Sequence, residues 1–380
     1  MAATLAPIAG SSIGFYLPLA VVPLFARAHG SSASAGLATG AFLLATVLFE
    51  LVTPRIVALC GYRRTLGAGL LLLGAPALLF LEFSSTPVLV AVGMLRGAGF
   101  AVGTVAGGAL AAALVPADRR GRGLAAIGVV SGVSSLLAMP LGMWVAGAWG
   151  FAPVFVLTAA APLAAMLALP FLPRVDVPPA VPVRVERAVL RPAVIFAACT
   201  TAAGVLVTFL PMALNPRIAW AAPVALLVQP AVTTAARWIA GRLGDRRGQA
   251  SLLVPGVALS LTGMAALAAT GSAATVLLGS AAFGAGFGIL QNATLALMYA
   301  RAPLSAYSSV SAIWNAAYDL GMALGALGVG VLIPMVGFAP AFLLTAAAML
   351  PALLLARRAK LSAHPTAPEP ALSPVTVPSP

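Results

Sequence analysis

Twelve long apolar runs, separated by short clusters of glycine, proline and arginine, account for most of this chain. A helix needs about 20 apolar residues to cross the hydrocarbon core of a bilayer, and each run is close to or above that length. The sequence therefore predicts an all-α membrane protein with twelve transmembrane helices. The predicted spans are 4–26, 32–53, 65–83, 87–114, 122–148, 151–172, 192–213, 218–240, 249–270, 273–300, 306–331 and 336–356.

The scarcity of charge supports a membrane protein and argues against a nucleic-acid-binding one. Only 8% of the 380 residues are charged, whereas soluble domains carry roughly 25%. The net charge of +13 comes from short basic clusters between the apolar runs. Nucleic-acid binding would instead require these charges on one folded, polar face. We therefore expect the protein to lie in a lipid bilayer and not to bind nucleic acid.

The distribution of arginine predicts the orientation of the chain, because cytoplasmic loops are enriched in basic residues. With both termini in the cytoplasm, every basic residue falls in a cytoplasmic segment except Arg27, Arg217, Arg96 and Arg237. Arg27 and Arg217 then lie in outer loops, and Arg96 and Arg237 lie within spans. We expect a multi-pass protein of the cell inner (plasma) membrane.

An internal repeat divides the chain into two halves. The segment Gly150–Ala161 recurs as Gly337–Ala348, and the segment Gly97–Phe100 recurs as Gly284–Phe287. Both pairs are offset by 187 residues, which indicates that a unit of six spans occurs twice. Six is an even number of crossings, so the two copies have the same orientation in the membrane.

This repeat predicts the domain organisation. We expect an N-terminal six-helix bundle at residues 1–172 and a C-terminal six-helix bundle at 192–356. The proline- and arginine-rich segment 173–191 would be a cytoplasmic linker, since its prolines are incompatible with a buried helix. The segment 357–380, rich in proline, serine and alanine, is predicted to be a disordered cytoplasmic tail.

The segment between predicted spans eight and nine, Gly241-Arg-Leu-Gly-Asp-Arg-Arg-Gly248, resembles the loop signature of the major facilitator superfamily. In that family this loop acts as a cytoplasmic latch. The resemblance implies a gating role for Gly241, Arg242, Asp245, Arg246 and Gly248. The first-half copy, 54–61, departs from the pattern, because an alanine at position 58 replaces the acidic residue.

Three further segments resemble the twelve-span drug:proton antiporter and sugar-efflux branch of this family. They are Leu95–Phe100 in span four, Met139–Gly142 in span five and Asn315–Gly321 in span eleven. The resemblance implies the major facilitator fold, with two pseudo-symmetric bundles related as parallel repeats. It also implies efflux coupled to protons.

Two ionisable residues within spans are candidates for proton coupling. Asp319 lies about thirteen residues, or roughly 20 Å, into its span, near the bilayer centre, where a charge is costly and usually functional. Arg96 lies about 14 Å from the outer end of span four. It could pair with the proton-carrying carboxylate, but it could equally form structural hydrogen bonds to backbone carbonyls.

Glu50 and Arg237 occupy equivalent positions, 187 residues apart. Both are expected within about one turn of the cytoplasmic end of their spans. They are candidates for a gating ion pair, although side chains at that depth can also reach water.

The sequence also predicts a polar cavity within the membrane region. The amides and phenols within spans could line it, although such groups also serve as links between helices. The candidate residues are Tyr16, Gln229, Gln291, Asn292, Asn315 and Tyr318.

The chain carries no phosphate-binding loop and no spacing typical of a metal site, so we predict no cofactor, no metal and no enzyme activity. The prediction is a monomeric, proton-coupled secondary transporter that exports a small hydrophobic or amphipathic molecule. The alternatives are an importer of a sugar or nucleoside with the same fold, and a non-transporting membrane sensor or enzyme.

Overall fold

The computed structural model describes residues 2–114, 120–173, 187–301 and 307–361, and every regular element in these ranges is a helix. In the first half, short 3-10 segments occupy Ala75–Leu81 and Met166–Phe171. The α-helices of this half are α1 (Ala2–Leu19), α2 (Val21–Ala28), α3 (Ser32–Gly74), α4 (Thr86–Leu114), α5 (Arg120–Trp149) and α6 (Phe151–Ala165).

The second half has the same order of elements. Its 3-10 segments are Pro216–Ile218 and Gln249–Leu252. Its α-helices are α7 (Arg187–Ala213), α8 (Ala221–Arg247), α9 (Leu253–Ala266), α10 (Ala273–Ala300), α11 (Tyr307–Val336), α12 (Phe338–Ala348) and α13 (Leu350–Leu361).

These helices form the twelve spans that the sequence predicts. Within the described residues, ten helical stretches are long and apolar enough to cross a membrane. One of them, Ser32–Leu81, has 50 residues and would be about 75 Å long if straight, more than twice the hydrocarbon thickness. It bends at Gly61, where φ is 75°, and therefore forms two spans. The twelfth span is α8, with 27 residues, whose hydropathy is lowered by Gln229, Arg237 and its prolines.

The repeat is visible in the backbone as well as in the sequence. Among the described residues, four have positive φ, and all are glycines: Gly61, Gly150, Gly248 and Gly337. They form two pairs at the same offset of 187, with φ of 75° and 79° in one pair and 84° and 80° in the other. Only glycine adopts this conformation without strain, so equivalent turns between spans require it in both halves.

The repeated Gly-Ala-Gly-Phe segments hold helices at backbone distance. A Cβ atom on Gly97 would collide with the carbonyl oxygen of Phe42, and one on Gly284 would collide with that of Gln229. Phe42 and Gln229 are again 187 residues apart. The glycines therefore act first as packing positions, bringing α4 against α3 and α10 against α8.

A hydrogen bond accompanies each of these close approaches. The hydroxyl of Thr46 donates to the carbonyl of Gly97 at 3.2 Å, and the hydroxyl of Thr233 donates to the carbonyl of Gly284 at 3.0 Å. Thr46 and Thr233 are equivalent residues. The two bundles thus share contacts at atomic detail, which confirms the prediction of two pseudo-symmetric six-helix bundles.

The two bundles meet chiefly through α3 against α11 and α5 against α8. Twelve crossings bring the beginning of α1 and the end of α13 to one side, here named the terminal face; the opposite side is the far face. Near the far face, a Cβ on Gly36 of α3 would collide with the backbone of Ala326 in α11. The bundles therefore touch backbone to backbone near the far face.

The predicted domain boundaries remain predictions. α7 begins at Arg187 and α13 ends at Leu361, a few residues inside the predicted linker 173–191 and the predicted tail 357–380. Most of both segments lies outside the described residues.

We predict that Gly284→Val destabilises the protein by about 1–3 kcal/mol, because the side chain would force α10 away from α8. The measurement is thermal unfolding of the detergent-solubilised protein, monitored by size-exclusion chromatography. Gly108→Val is the matched control, since a Cβ at Gly108 meets no atom within 4 Å. Equal unfolding temperatures for the two variants would contradict this packing role.

Candidate functional site

A cavity of about 240 Å³ lies between the two bundles. The first bundle contributes four lining residues from α1 and α5, and the second contributes the rest from α7, α8, α10 and α11. Thr234 and Arg237, in the part of α8 nearer the terminal face, line it and are exposed, so the cavity extends toward that face. Its lining is Tyr16, Leu19, Gly132, Met139, Ala203, Leu206, Val207, Gln229, Pro230, Thr233, Thr234, Arg237, Phe283, Phe287, Gln291, Tyr318 and Met322.

Four of the six predicted cavity residues line this space: Tyr16, Gln229, Gln291 and Tyr318. The structure leaves the other two out of the lining. Asn292 follows Gln291 directly and points elsewhere, since its side-chain amide donates to Gln249 Oε1 at 3.4 Å. Asn315 is exposed on α11, about one turn before Asp319.

The two glutamines differ in how their hydrogen bonds are satisfied. The amide nitrogen of Gln229 donates to the hydroxyl of Thr233 at 3.1 Å. The carbonyl oxygen of Gln291 is buried and accepts no hydrogen bond from any described residue. A buried polar atom without a partner is costly.

An aromatic cluster forms the wall of the cavity in the second bundle. Phe283 and Phe287 stack with ring centroids 5.6 Å apart, and Phe287 contacts Tyr318 at 6.1 Å. Behind them, Phe196 stacks on Trp314 at 4.4 Å. The indole N–H of Trp314 donates to the hydroxyl of Thr294 at 3.1 Å, so the one indole donor of the cluster is already bonded.

Asp319 lies on α11 beside this cavity, with 7% of its surface exposed. Its charge interacts with that of Glu50 on α3, and it influences the phenols of Tyr16 and Tyr318. Within the described residues, its carboxylate forms no hydrogen bond and no ion pair. The residue 187 positions earlier, Gly132, lines the cavity from the first bundle, whereas Asp319 itself is not a lining residue.

Glu50 and Arg237 lie farther from the ends of their helices than the sequence predicts. α3 remains helical to the turn at Gly61, and α8 remains helical to the turn at Gly248. Each residue therefore lies about 16 Å from its turn, and not within one helical turn of it. Glu50 interacts electrostatically with Asp319 of the other bundle; no ion pair between Glu50 and Arg237 occurs in the described part of the chain.

Arg96 is not near Asp319. It is buried in the first bundle, where Nε donates to the carbonyl of Leu73 at 3.1 Å and Nη2 donates to the carbonyl of Gly14 at 2.7 Å. Its guanidinium also lies 5.7 Å from the ring centroid of Phe42. These contacts match the structural alternative for Arg96, because they tie α4 to α1 and α3.

The predicted latch segment is largely helical. α8 continues through Arg247, and the turn itself is at Gly248. The guanidinium of Arg242 stacks over Trp238 at 3.6 Å, and Gly244 packs against the side chain of Gln249. The side chain of Asp245 lies outside the described part. Of the predicted gating residues, Gly241 lies within α8, and Arg246 is exposed at its end.

A larger cleft of about 800 Å³ opens at the far face between α5 and α8. Its walls are apolar apart from Arg27 and include Trp144 and Trp220, which are 54% and 57% exposed. Large exposed aromatic residues near a helix end are typical of the membrane interface. The smaller central cavity, which gathers the polar groups from both bundles, is therefore the better candidate site.

Sequence reasoning missed Arg27 at the far face. Its Nη1 donates to the carbonyl of Met212 in α7 at 2.6 Å, and its guanidinium lies 4.7 Å from the ring centroid of Phe338 in α12. Both contacts join the first bundle to the second. The available signal was that Arg27 is one of two arginines in the loops predicted to be poor in basic residues.

We predict that Arg27→Gln opens the far face. Loss of a charged hydrogen bond worth about 1.5–3 kcal/mol shifts the open-to-closed ratio by roughly tenfold or more. Spin labels at Ser85→Cys and Gly271→Cys, exposed positions in far-face loops of the two bundles, would report a longer distance by electron–electron resonance.

Arg217→Gln is the control for this experiment, since Arg217 is on the same face and its described hydrogen bond uses only the backbone N–H. Indistinguishable distance distributions for Arg27→Gln and Arg217→Gln would show that the contacts of Arg27 do not hold the two bundles together at the far face.

The family model for the Major Facilitator Superfamily matches residues 8–326 and 216–377. No curated protein matches the chain in sequence. Among solved structures, an auto-inhibited POT family peptide transporter is similar with a TM-score of 0.79 at 14% identity, covering 97% of this chain and 98% of that one. The nucleoside transporter NupG has a TM-score of 0.73 at 14% identity, with 94% and 97% covered. The inward-open xylose transporter XylE from E. coli also reaches 0.73 at 14% identity, with 94% and 95% covered. At these identities the similarity shows the fold alone, but the family match extends over most of the sequence, and the chain belongs to the Major Facilitator Superfamily.

Proposed function

We propose that this chain is a proton-coupled secondary transporter that exports a small amphipathic molecule by alternating access. The observation that carries the proposal is the cavity between the bundles, with a buried carboxylate, Asp319, beside it. A site at the interface of two repeats can open to either side when the bundles rock against each other. The arginine distribution supports a cytoplasmic terminal face, an outer far face and a location in the plasma membrane.

Asp319 and Glu50 are the proposed proton-coupling residues. They belong to different bundles, and their charges interact across the α3–α11 contact. Two negative charges repel strongly in a medium of low dielectric constant. A proton on Asp319 removes this repulsion, so the protonation state of Asp319 changes which arrangement of the two bundles is favoured. The proton gradient thus biases which side of the cavity is open.

Arg237 has a different proposed role. It lines the cavity on the cytoplasmic side and influences Tyr16 and Tyr318 electrostatically. It would attract acceptor groups of the substrate, or neutralise the deprotonated carboxylates while the cavity is open. The segment from Gly241 to Gly248 remains the proposed cytoplasmic latch, on the basis of its resemblance to the family signature.

Import of a sugar or nucleoside is the second candidate. The similarity of the fold to a nucleoside transporter and a xylose transporter favours it, and glutamine side chains in the cavity suit polar solutes. Import and export predict opposite signs of accumulation under the same proton gradient, so one flux experiment separates them.

We predict that Asp319→Asn abolishes uphill transport while leaving substrate exchange at zero gradient. The measurement is flux driven by a pH gradient in proteoliposomes, with a panel of lipophilic cations, antibiotics, sugars and nucleosides. The wild type should accumulate at least one compound against its gradient, whereas the variant should only equilibrate it.

Glu82→Gln is the matched control, because Glu82 is an exposed carboxylate at the far face and its neutralisation should leave uphill transport intact. Equal uphill transport by wild type and Asp319→Asn would exclude Asp319 as the proton carrier.

A further inference from the structure

The cleft at the far face, about 800 Å³ in volume, is built almost entirely from apolar groups of both bundles. Met143 and Phe151 contribute from the first bundle, and Met212 and Pro223 contribute from the second. Among the described residues that line it, Arg27 is the one charged residue, and none carries a carboxylate, an amide or a hydroxyl. A water molecule needs about two to four polar partners, so this cleft holds water poorly and suits an occupant that is mostly apolar.

Arg27 leaves hydrogen-bond donors free in this cleft. Within the described residues, its side chain forms one hydrogen bond, from Nη1 to the carbonyl of Met212. Nε and Nη2 have no acceptor there, and neither nitrogen is fully buried. These two nitrogens form one edge of the planar guanidinium, which is the geometry that binds two oxygens of a phosphate side by side. The cleft therefore offers a phosphate a charge-assisted contact through two hydrogen bonds.

The depth of the cleft matches that of lipid headgroups. Arg27 is one residue from the end of α2, and Trp220 directly precedes α8. Trp144 lies five residues, about 8 Å, before the end of α5. Tryptophan side chains concentrate where the hydrocarbon meets the headgroups, a layer of about 5–8 Å on each side of a bilayer. A lipid with its phosphate at Arg27 would therefore extend its chains along the apolar walls toward the bilayer centre.

We propose that this cleft binds a phospholipid from the leaflet at the far face, with its phosphate on Nε and Nη2 of Arg27 and its acyl chains against Met143 and Pro223. A soluble anion would leave the apolar walls uncovered, and a lipid without a phosphate would leave the two nitrogens without an acceptor. The volume equals about 27 water molecules at the density of the liquid, which holds a headgroup and the upper part of the chains. The cleft shares no lining residue with the central cavity, so this site is separate from the proposed transport site.

Tryptophan fluorescence allows this site to be measured, because brominated acyl chains quench a tryptophan that they contact. The experiment titrates the purified full-length protein, in detergent micelles, with phosphatidylglycerol that carries brominated chains. Trp238→Phe is the background for all variants, since Trp238 lies toward the terminal face, where Arg242 stacks over it. Diacylglycerol with the same brominated chains is the matched control for the phosphate. Glycerol phosphate, added as a competitor, represents a soluble anion.

The expected result is quenching that saturates with phosphatidylglycerol at a mole fraction about tenfold lower than with diacylglycerol, since the charged hydrogen bonds need the phosphate. Trp144→Phe combined with Trp220→Phe should remove most of this quenching. Arg27→Gln should raise the half-saturating mole fraction by about tenfold or more. Arg217→Gln, on the same face but outside the lining, should change it by no more than about twofold.

Arg27→Gln also removes the hydrogen bond to Met212, so a second pair of variants leaves that contact in place. Ala148 is an exposed residue of the cleft lining. Ala148→Glu should weaken binding of phosphatidylglycerol by about tenfold, because its carboxylate repels the phosphate in a medium of low dielectric constant. Ala148→Gln is the matched control, since its side chain has nearly the same size without the charge, and it should weaken binding by no more than about threefold.

The proposal is overturned if phosphatidylglycerol produces no saturable quenching, if diacylglycerol binds as tightly, or if glycerol phosphate displaces the lipid at an equal concentration. It is also overturned if Arg27→Gln or Ala148→Glu binds the lipid as the wild type does. Undiminished quenching in the protein without Trp144 and Trp220 would place the lipid elsewhere and overturn it too. The titration needs no gradient, so these outcomes are independent of proton coupling and of the direction of transport.

Discussion

A buried polar group in a membrane protein must find its partner inside the protein, because lipid offers none. Most of the fold follows from this constraint. The hydroxyls of Thr46 and Thr233 donate to carbonyls of neighbouring helices, and Arg96 donates to two carbonyls from α1 and α3. The two threonine bonds require the helices to lie at backbone distance, which the glycines Gly97 and Gly284 allow.

The same constraint draws attention to two of the polar groups that lack a partner, because both belong to the region between the bundles. Within the described residues, the carboxylate of Asp319 has no hydrogen bond or ion pair, and the carbonyl oxygen of Gln291 is buried without a donor. Gln291 lines the cavity between the bundles, and Asp319 lies beside it. Groups left unsatisfied in one conformation can be satisfied in another, or by a ligand or a proton. They are therefore where the proposed transport chemistry is concentrated.

Much of the fold could be predicted from the sequence, because membrane spans appear as apolar runs and the two halves repeat the same sequence segments. The apolar runs predicted the helices, and the offset of 187 predicted contacts that recur atom for atom, as at Thr46 and Thr233. The distances of Glu50 and Arg237 from the ends of their helices were predicted less well. Glu50 and Arg237 were expected near the membrane surface, but the helices continue to Gly61 and Gly248, since basic residues near the cytoplasmic face do not end a helix.

The direction of side chains could not be read from spacing alone. Gln291 and Asn292 are adjacent polar residues on one helix, yet only Gln291 lines the cavity, because successive residues on a helix point about 100° apart. From the sequence, Arg96 could pair either with a carboxylate or with backbone carbonyls. In the structure it donates to the carbonyls of Gly14 and Leu73. The contacts of Arg27 could not be predicted from the sequence, because its partners Met212 and Phe338 lie on helices far away in sequence.

The central claim is that one cavity opens to each side of the membrane in turn. Its most direct test is the reactivity of Thr234→Cys, at an exposed cavity position, in a background with Cys60 and Cys199 replaced by alanine. A membrane-impermeant maleimide is applied to one side of sealed vesicles at a time. The account predicts labelling from the cytoplasmic side in the otherwise native protein, and added labelling from the outer side when Arg27→Gln releases the far face. Labelling from one side only in both backgrounds, or equally from both sides in both, would contradict it.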